Sequence, residues 1–401
     1  MKVFTPILFF LFVFNAKISH CQNFNLYSND SLSINTSFLN EPIQLRIHFP
    51  ETFHFSSSNT KYPITIVFDS QHERTYPHII HSFDLLTSES QIPESIIIGV
   101  PFTMHNRLYF TSNQKKQGDS LSGIERMERF LFSELIPKFQ KENKANEFIT
   151  LIGHSRTAFL VNYLSANPSN KVSIGIALSG FFEEDTLSIN TFQEFLSESS
   201  NFPKKFSYYF TAGTTSEEEN YLKQYRQLNS YLQTITLPKN VKTFFQETPN
   251  ANHISNFWVS IPTILMDAYA PYNSILNLWF DQKLKKETIA NPVDEFKKDI
   301  ENVNEELGVK LNPNLTQLFS LSSNYAYDKK DFKTALDFIQ LGISYYPEYL
   351  DFYVDMIENY KSLKDIQKVK EYQKILKEKT LKATYFGEYT KEDILKSLEE
   401  K

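Results

Sequence analysis

Cysteine is almost absent from this sequence of 401 residues, which contains Cys21 and no other. A single cysteine can form neither an internal disulfide nor a thiolate metal cluster. Because Cys21 ends a segment with the character of an export signal, a cysteine nucleophile is also excluded for the mature chain.

Basic charge and long apolar runs are scarce as well. The formal net charge is −6, whereas binding to nucleic acid usually requires a basic stripe, so nucleic acid is excluded as a partner. After the first 21 residues no apolar run approaches the roughly 20 residues that span a bilayer. Glycine accounts for only 10 residues, so a glycine at a turn is more informative than usual.

The first residues carry the features of an export signal. Lys2 provides a positive start, and Ile7 to Phe14 form an unbroken apolar run. These features predict a signal peptide over residues 1–21 and a mature chain, periplasmic or secreted, that begins at Gln22. An N-terminal membrane anchor is the alternative.

Short apolar runs alternate with helical patterns from about residue 24 to residue 275. Such runs are typical of strands buried between two layers of helices. They predict an α/β domain over residues 22–280, with a mostly parallel sheet flanked by helices. The predicted strands are an N-terminal hairpin (24–36 and 43–49) followed by 64–68, 96–100, 148–152, 174–178, 206–210 and 241–245.

Amphipathic helices rich in lysine and glutamate follow the last predicted strand and continue to the end of the sequence. A weak repeat occurs there, because Asp331 and Ala335 recur as Asp365 and Val369, 34 residues apart. The spacing resembles that of tetratricopeptide repeats, stacked helix pairs that commonly bind a partner in a groove. We therefore predict a small all-helical domain over 285–401, either a site for a protein partner or an appendage packed on the first domain.

The predicted strand 148–152 runs into Gly153-His154-Ser155 and then into a helical pattern. A serine on a sharp strand-to-helix turn is exposed above the sheet, and the helix N-terminus favours a developing negative charge. Ser155 is therefore the candidate nucleophile. Thr157 departs from the G-x-S-x-G pattern, which has its second glycine at that position.

One histidine follows Ser155 in the sequence, and it is His253, in a loop after the last predicted strand. In an α/β-hydrolase the catalytic residues follow the order serine, acid, histidine. The position of His253 at the end of this order predicts that it is the catalytic base.

The acid of the triad is expected in the loop after the preceding predicted strand. The carboxylates of that loop are Glu217, Glu218 and Glu219. We predict Glu217 as the acid, because it is nearest to the strand end. If all three glutamates only begin a helix, the alternatives are Glu183, Glu184 and Asp185.

An oxyanion hole requires two backbone N–H groups that face the substrate carbonyl oxygen. Arg156, directly after the nucleophile, is expected to supply one. The loop that follows strand 64–68, Asp69-Ser70-Gln71, is expected to supply the other, and Ser70 is the predicted donor. Strand 64–68 is the third predicted strand, the serine strand is the fifth and the histidine strand is the eighth, as in an α/β-hydrolase.

Four stretches of the sequence also carry a family resemblance. They are Ile66 to Ser70, Arg107, Phe130 through Glu134-Leu135-Ile136-Pro137, and Gly153-His154-Ser155. Through them the chain resembles, over roughly residues 40–265, the putative-esterase family, which includes enterochelin esterases and S-formylglutathione hydrolases. The resemblance implies the α/β-hydrolase fold and a serine–histidine–acid esterase that works without metal or cofactor.

These observations predict a serine esterase that hydrolyses a small-molecule ester through an acyl-enzyme. Arg107 is predicted to bind substrate, and together with Arg156 and His105 it would favour an anionic one.

Two alternatives remain open: an acyltransferase in which another alcohol replaces water, and an inactive hydrolase-fold protein that binds a partner through its helices. No metal site is predicted, because His72, His78 and His81 lack the regular spacing of metal ligands.

Overall fold

The computed structural model describes residues 30–39, 41–286 and 289–399, so the predicted signal peptide (1–21) lies outside the described residues. Eight strands form a single sheet. In chain order they are β1 Asp30–Ile34, β2 Ile43–His48, β3 Tyr62–Phe68, β4 Ile96–Val100, β5 Ala145–His154, β6 Ile174–Leu178, β7 Phe206–Gly213 and β8 Val241–Thr248. Their order across the sheet is β1-β2-β4-β3-β5-β6-β7-β8.

The sheet is mostly parallel. β3 to β8 run in one direction, whereas β1 pairs antiparallel with β2 and β2 antiparallel with β4. A strand is present within each predicted range, although residues 24–29 of the first range lie outside the described residues, and β3, β5 and β8 are the third, fifth and eighth strands. Because parallel strands end at one edge of the sheet, the loops after these strands lie on the same side. The α/β-hydrolase fold is thus confirmed.

Helices cover both faces of the sheet. They are α1 Tyr76–Ser88, α2 Met104–Phe110, α3 Gly123–Arg129, α4 Ile136–Glu142, α5 Arg156–Ser165, α6 Ile189–Ser197, α7 Glu219–Leu232, α8 His253–Ala268 and α9 Ala270–Asn277. Residues 130–135 continue α3 into α4 as a π-helical turn. α8 begins with a capping box, in which Asn252 and Ser255 exchange hydrogen bonds between side chain and backbone, and this fixes where the helix starts.

The C-terminal region is helical, as predicted. Its helices are α10 Pro292–Leu307, α11 Leu315–Ser323, α12 Phe332–Tyr345, α13 Asp351–Ser362, α14 Ile366–Lys382 and α15 Lys391–Glu399. The repeated aspartates are N-caps, since Asp331 accepts the N–H of Thr334 before α12 and Asp365 accepts that of Lys368 before α14. The 34-residue spacing therefore marks two equivalent helix starts.

The helical region packs directly on the sheet domain. One hydrophobic core contains Ile152 and Tyr209 of the sheet together with Trp279, Phe296 and Phe338. Backbone hydrogen bonds also join the two parts: the Ser57 N–H donates to the Tyr345 carbonyl (2.8 Å) and the Glu348 N–H to the Phe55 carbonyl (3.2 Å).

This packing favours the interpretation of the helices as an appendage of the first domain over that of a groove for a protein partner. The domain division near residue 285 and the resemblance to tetratricopeptide repeats stay predictions. No helix within the described residues is long and apolar enough to cross a membrane.

Candidate active site

Ser155 sits on a strained turn between β5 and α5. Its backbone angles are φ 59° and ψ −121°, a combination that non-glycine residues rarely adopt and that occurs at functional turns. Gly153 makes the turn possible, because a Cβ at that position would lie 2.2 Å from the Thr157 carbonyl oxygen. We call residues 153–157 the nucleophile elbow. The geometry matches the predicted placement of the nucleophile.

The imidazole of His253 is held by a buried carboxylate. His253 is the first residue of α8, and its Nδ1 hydrogen-bonds Glu218 Oε1. The second oxygen of Glu218 accepts hydrogen bonds from Ser179 Oγ (2.6 Å) and from the Gly213 N–H (2.9 Å). Burial would raise the pKa of Glu218, but hydrogen bonds from His253, Ser179 and Gly213 together hold it below its ordinary value. The carboxylate is therefore ionised beneath the imidazole.

This contact corrects the prediction of Glu217 as the acid. Residues 216–218 form a short 3₁₀ turn, so consecutive glutamates point in different directions. Glu218 is fully buried, whereas Glu217 is exposed and its Oε1 accepts the backbone N–H of His253 at 3.0 Å. Of the alternatives, Glu183 pairs with Arg156 instead.

Two aromatic neighbours, not predicted from the sequence, contact the imidazole. The His253 ring stacks on Tyr221 (centroids 5.0 Å apart, 24° between planes) and contacts the His154 ring (centroids 4.4 Å apart). His154 Nε2 also donates to the His253 carbonyl oxygen at 2.7 Å, which ties the nucleophile elbow to the start of α8. Burial, followed by the proximity of His253, lowers the pKa of His154 to about 4, so its ring is neutral near pH 7.

Ser155 Oγ makes no hydrogen bond with any described residue, so the structure does not join it to His253 Nε2. Its neighbour His154 nevertheless contacts the His253 ring, which places Ser155 and His253 near each other. Nucleophile and base are commonly further apart in the absence of substrate than during the reaction.

The loop after β3, residues 69–71, carries the second expected oxyanion donor, and we call it the oxyanion loop. The N–H of Ser70 donates to the Val100 carbonyl at 3.3 Å and so extends the ladder between β3 and β4. The N–H of Gln71 and that of Arg156 have no acceptor among the described residues. The Ser70 N–H is therefore engaged in the sheet and not directed at a substrate, while the roles of Ser70 and Arg156 in an oxyanion hole stay predictions.

The two arginines predicted to favour an anionic substrate are both paired with carboxylates. Arg107 forms a bidentate ion pair with Asp69, with distances of 2.7 Å from Nε to Oδ1 and 2.6 Å from Nη2 to Oδ2. Arg156 pairs with Glu183, and its Nε donates to Thr111 Oγ1 at 3.1 Å. Arg107 is thus held in an internal ion pair, and its role in substrate binding stays a prediction. His105, the third residue of that set, is exposed.

Among the residues that the structure describes, no cluster of three or more histidine, cysteine, aspartate or glutamate side chains could hold a metal ion. His78, from the group considered above, instead stacks on Trp258 and bonds its carbonyl oxygen at 2.9 Å.

The family relationship is decided by a match between residues 36–252 and the family model described as "Putative esterase", which covers more than half of the sequence. The chain belongs to the putative-esterase family. It is accordingly an enzyme that acts on ester bonds. No curated protein sequence matches it.

Solved structures resemble this esterase in fold. An uncharacterised protein from Capnocytophaga ochracea is 16% identical, with 92% of this chain and 98% of that chain covered and a TM-score of 0.58. An IroE-like serine hydrolase from Shewanella oneidensis is 16% identical, with 78% and 98% covered and a TM-score of 0.59. The BES protein from Bacillus cereus is 18% identical, with 60% and 94% covered and a TM-score of 0.51. The first of these likenesses extends over the helical region of the esterase.

Proposed function

We propose that this esterase hydrolyses a small-molecule ester through an acyl-enzyme on Ser155, with His253 as the base and Glu218 as the acid of the triad. The observation that carries the proposal is the buried Glu218 carboxylate on His253 Nδ1, beside a serine on a strained strand-to-helix turn. Serine hydrolases of unrelated folds use this combination of groups.

In the first half of the reaction, Ser155 Oγ attacks the ester carbonyl carbon while its proton passes to His253 Nε2. The Nδ1–H bond to Glu218 orients the ring and stabilises the imidazolium. The N–H groups of Arg156 and Gln71 bind the oxygen of the tetrahedral intermediate, and removal of one such donor typically costs about 10²–10³ in kcat. The intermediate collapses as the alcohol leaves with the proton from Nε2.

In the second half, water attacks the acyl carbon and gives a proton to His253 Nε2. The second tetrahedral intermediate releases the carboxylic acid, and Ser155 Oγ regains its proton from the imidazolium. His154 takes no proton in this cycle, because burial and the proximity of His253 lower its pKa to about 4.

The proposal is tested by hydrolysis of short p-nitrophenyl esters by purified wild type, Ser155→Ala and His253→Ala. We expect steady turnover by the wild type and a loss of at least about 10³-fold in both variants, since both residues act as one unit. Turnover that survives in Ser155→Ala would contradict it.

We also propose that the protein is exported, and detection of a mature N-terminus at Gln22 in a periplasmic or medium fraction would test this.

A further inference from the structure

Thr157 occupies the place of the second glycine in the G-x-S-x-G pattern, and its side chain is fully buried. Its Oγ1 lies 3.0 Å from the backbone N of His154 and 3.0 Å from Asp69 Oδ2. The His154 N–H donates to the hydroxyl, and the hydroxyl proton then has the Asp69 carboxylate and the His154 carbonyl, also at 3.0 Å, as acceptors. An ionised carboxylate is the stronger acceptor of the two.

Asp69 collects several hydrogen bonds on one buried carboxylate. Besides Thr157, it accepts the bidentate pair from Arg107 and a bond from Gln71 Nε2 at 2.9 Å. Burial would raise the pKa of Asp69, but the bonds from Arg107, Gln71 and Thr157 lower it below its ordinary value, so the carboxylate carries its charge. Its backbone has φ 61°, a left-handed conformation that aspartate tolerates better than most residues.

These bonds connect two segments that are distant in the sequence. Asp69 begins the oxyanion loop, and Thr157 belongs to the nucleophile elbow. Gln71 is also fixed on its other side, because its Oε1 accepts the Phe102 N–H at 2.8 Å. The two proposed oxyanion donors, the N–H groups of Gln71 and Arg156, come from these two segments and have no backbone acceptor among the described residues. The distance between the donors therefore depends on what joins the loop to the elbow.

We infer that Thr157, Asp69 and Arg107 form a clamp that holds the oxyanion loop against the nucleophile elbow and fixes the spacing of the two oxyanion donors. Thr157 is thus a positioning residue that replaces the small glycine with a specific hydrogen bond. The inference rests on the proposed esterase function of Ser155. The clamp predicts that Thr157→Gly, which completes the G-x-S-x-G pattern, impairs the enzyme, whereas the pattern alone would suggest the opposite.

The test compares Thr157→Val, Thr157→Ser and Thr157→Gly in p-nitrophenyl ester hydrolysis. Valine keeps the shape and removes the hydroxyl, and we expect kcat to fall about 10- to 100-fold with KM within about threefold, because misplaced donors weaken transition-state binding. Thr157→Ser keeps the hydroxyl and should retain kcat within about threefold of wild type. Thr157→Gly should lose as much kcat as Thr157→Val.

A matched control is Thr65→Val on β3, the strand that leads to Asp69. Thr65 is also fully buried, and its hydroxyl bonds Ser95 Oγ at 2.8 Å, away from the clamp. We expect Thr65→Val to lower the melting temperature about as much as Thr157→Val while kcat stays at the wild-type value.

Three outcomes overturn the clamp: wild-type kcat in Thr157→Val, equal or higher kcat in Thr157→Gly, or no rescue by Thr157→Ser. If the wild type itself shows no hydrolysis that depends on Ser155, the proposed function fails and the clamp fails with it. Because the wild type is measured first, these two failures are distinguished.

Discussion

Glu218→Gln replaces the carboxylate beneath His253 with a neutral amide of the same shape. The donors around Glu218 determine how that amide is oriented. The oxygen that accepts the Gly213 N–H and the Ser179 hydroxyl must remain an oxygen, because the backbone N–H can only donate. The amide NH₂ is then placed against His253 Nδ1, where Glu218 Oε1 stood.

An NH₂ group at that position requires Nδ1 to accept, so the ring proton moves to Nε2. In this tautomer Nε2 cannot take the proton of Ser155, and in a serine protease the equivalent change lowers kcat about 10⁴-fold. We expect a loss of about 10³–10⁴ here, which corresponds to about 4–5 kcal/mol of transition-state stabilisation. The assay is kcat for p-nitrophenyl acetate, with the melting temperature measured alongside to confirm folding.

Glu217→Gln is the matched control, since it makes the same chemical change one residue away. The amide oxygen of glutamine can still accept the His253 backbone N–H that Glu217 accepts at 3.0 Å, so we expect kcat within about threefold of wild type. The reasoning is refuted if Glu218→Gln loses less than about tenfold, or if Glu217→Gln loses as much as Glu218→Gln.

Three further predictions follow from the contacts of the site. Tyr221→Ala removes the ring that stacks on His253 and should lower kcat about 3- to 10-fold, because stacked aromatic pairs contribute about 0.5–1.5 kcal/mol. Tyr221→Phe keeps the ring and should keep the wild-type kcat, and steady-state kinetics of both variants test this. Because the pKa of His154 falls from 6.5 to about 4 on folding, the unfolded chain binds the extra proton between these pH values. The free energy of unfolding should therefore decrease by up to about 3 kcal/mol from pH 6.5 to pH 4, and urea titrations should show a weaker decrease in His154→Gln. Gly153→Ala places a Cβ 2.2 Å from the Thr157 carbonyl and should destabilise the protein by about 3 kcal/mol, and an unchanged melting temperature would contradict the strained-turn account.

The elements that were predictable from the sequence are those with long-range regularity. The apolar runs predicted β3, β4 and β6 because both faces of these parallel strands are buried. Ser155 and His253 could be named because strand ends in a parallel sheet meet at one edge. The aspartates of the 34-residue repeat were visible because an N-cap favours few residue types.

What was missed depends on the orientation of single residues. Which of three adjacent glutamates reaches His253 is set by one 3₁₀ turn, and no periodicity reports the direction of such a turn. The sequence does not show that the Ser70 N–H extends the β3–β4 ladder, so it could not distinguish Ser70 from Gln71 as the proposed oxyanion donor. Arg107 looked free for substrate because its partner Asp69 is distant in the sequence.

The contacts of Thr157 are another feature that could not be predicted from the sequence. In the sequence, Thr157 is visible only as a departure from the G-x-S-x-G pattern. In the structure its hydroxyl joins two loops that each carry an oxyanion donor. Composition and spacing cannot show this hydrogen bond, because its acceptor, Asp69, lies 88 positions away in the sequence.

The central claim is that Ser155 is a nucleophile activated by His253, and covalent labelling tests it most directly. Wild type, Ser155→Ala and His253→Ala would be treated with a fluorophosphonate and examined by intact-mass spectrometry and peptide mapping. The account predicts one adduct per wild-type chain, located on Ser155, no adduct in Ser155→Ala, and labelling slowed by at least about 100-fold in His253→Ala. An unlabelled wild type, or an adduct on another residue, would contradict it.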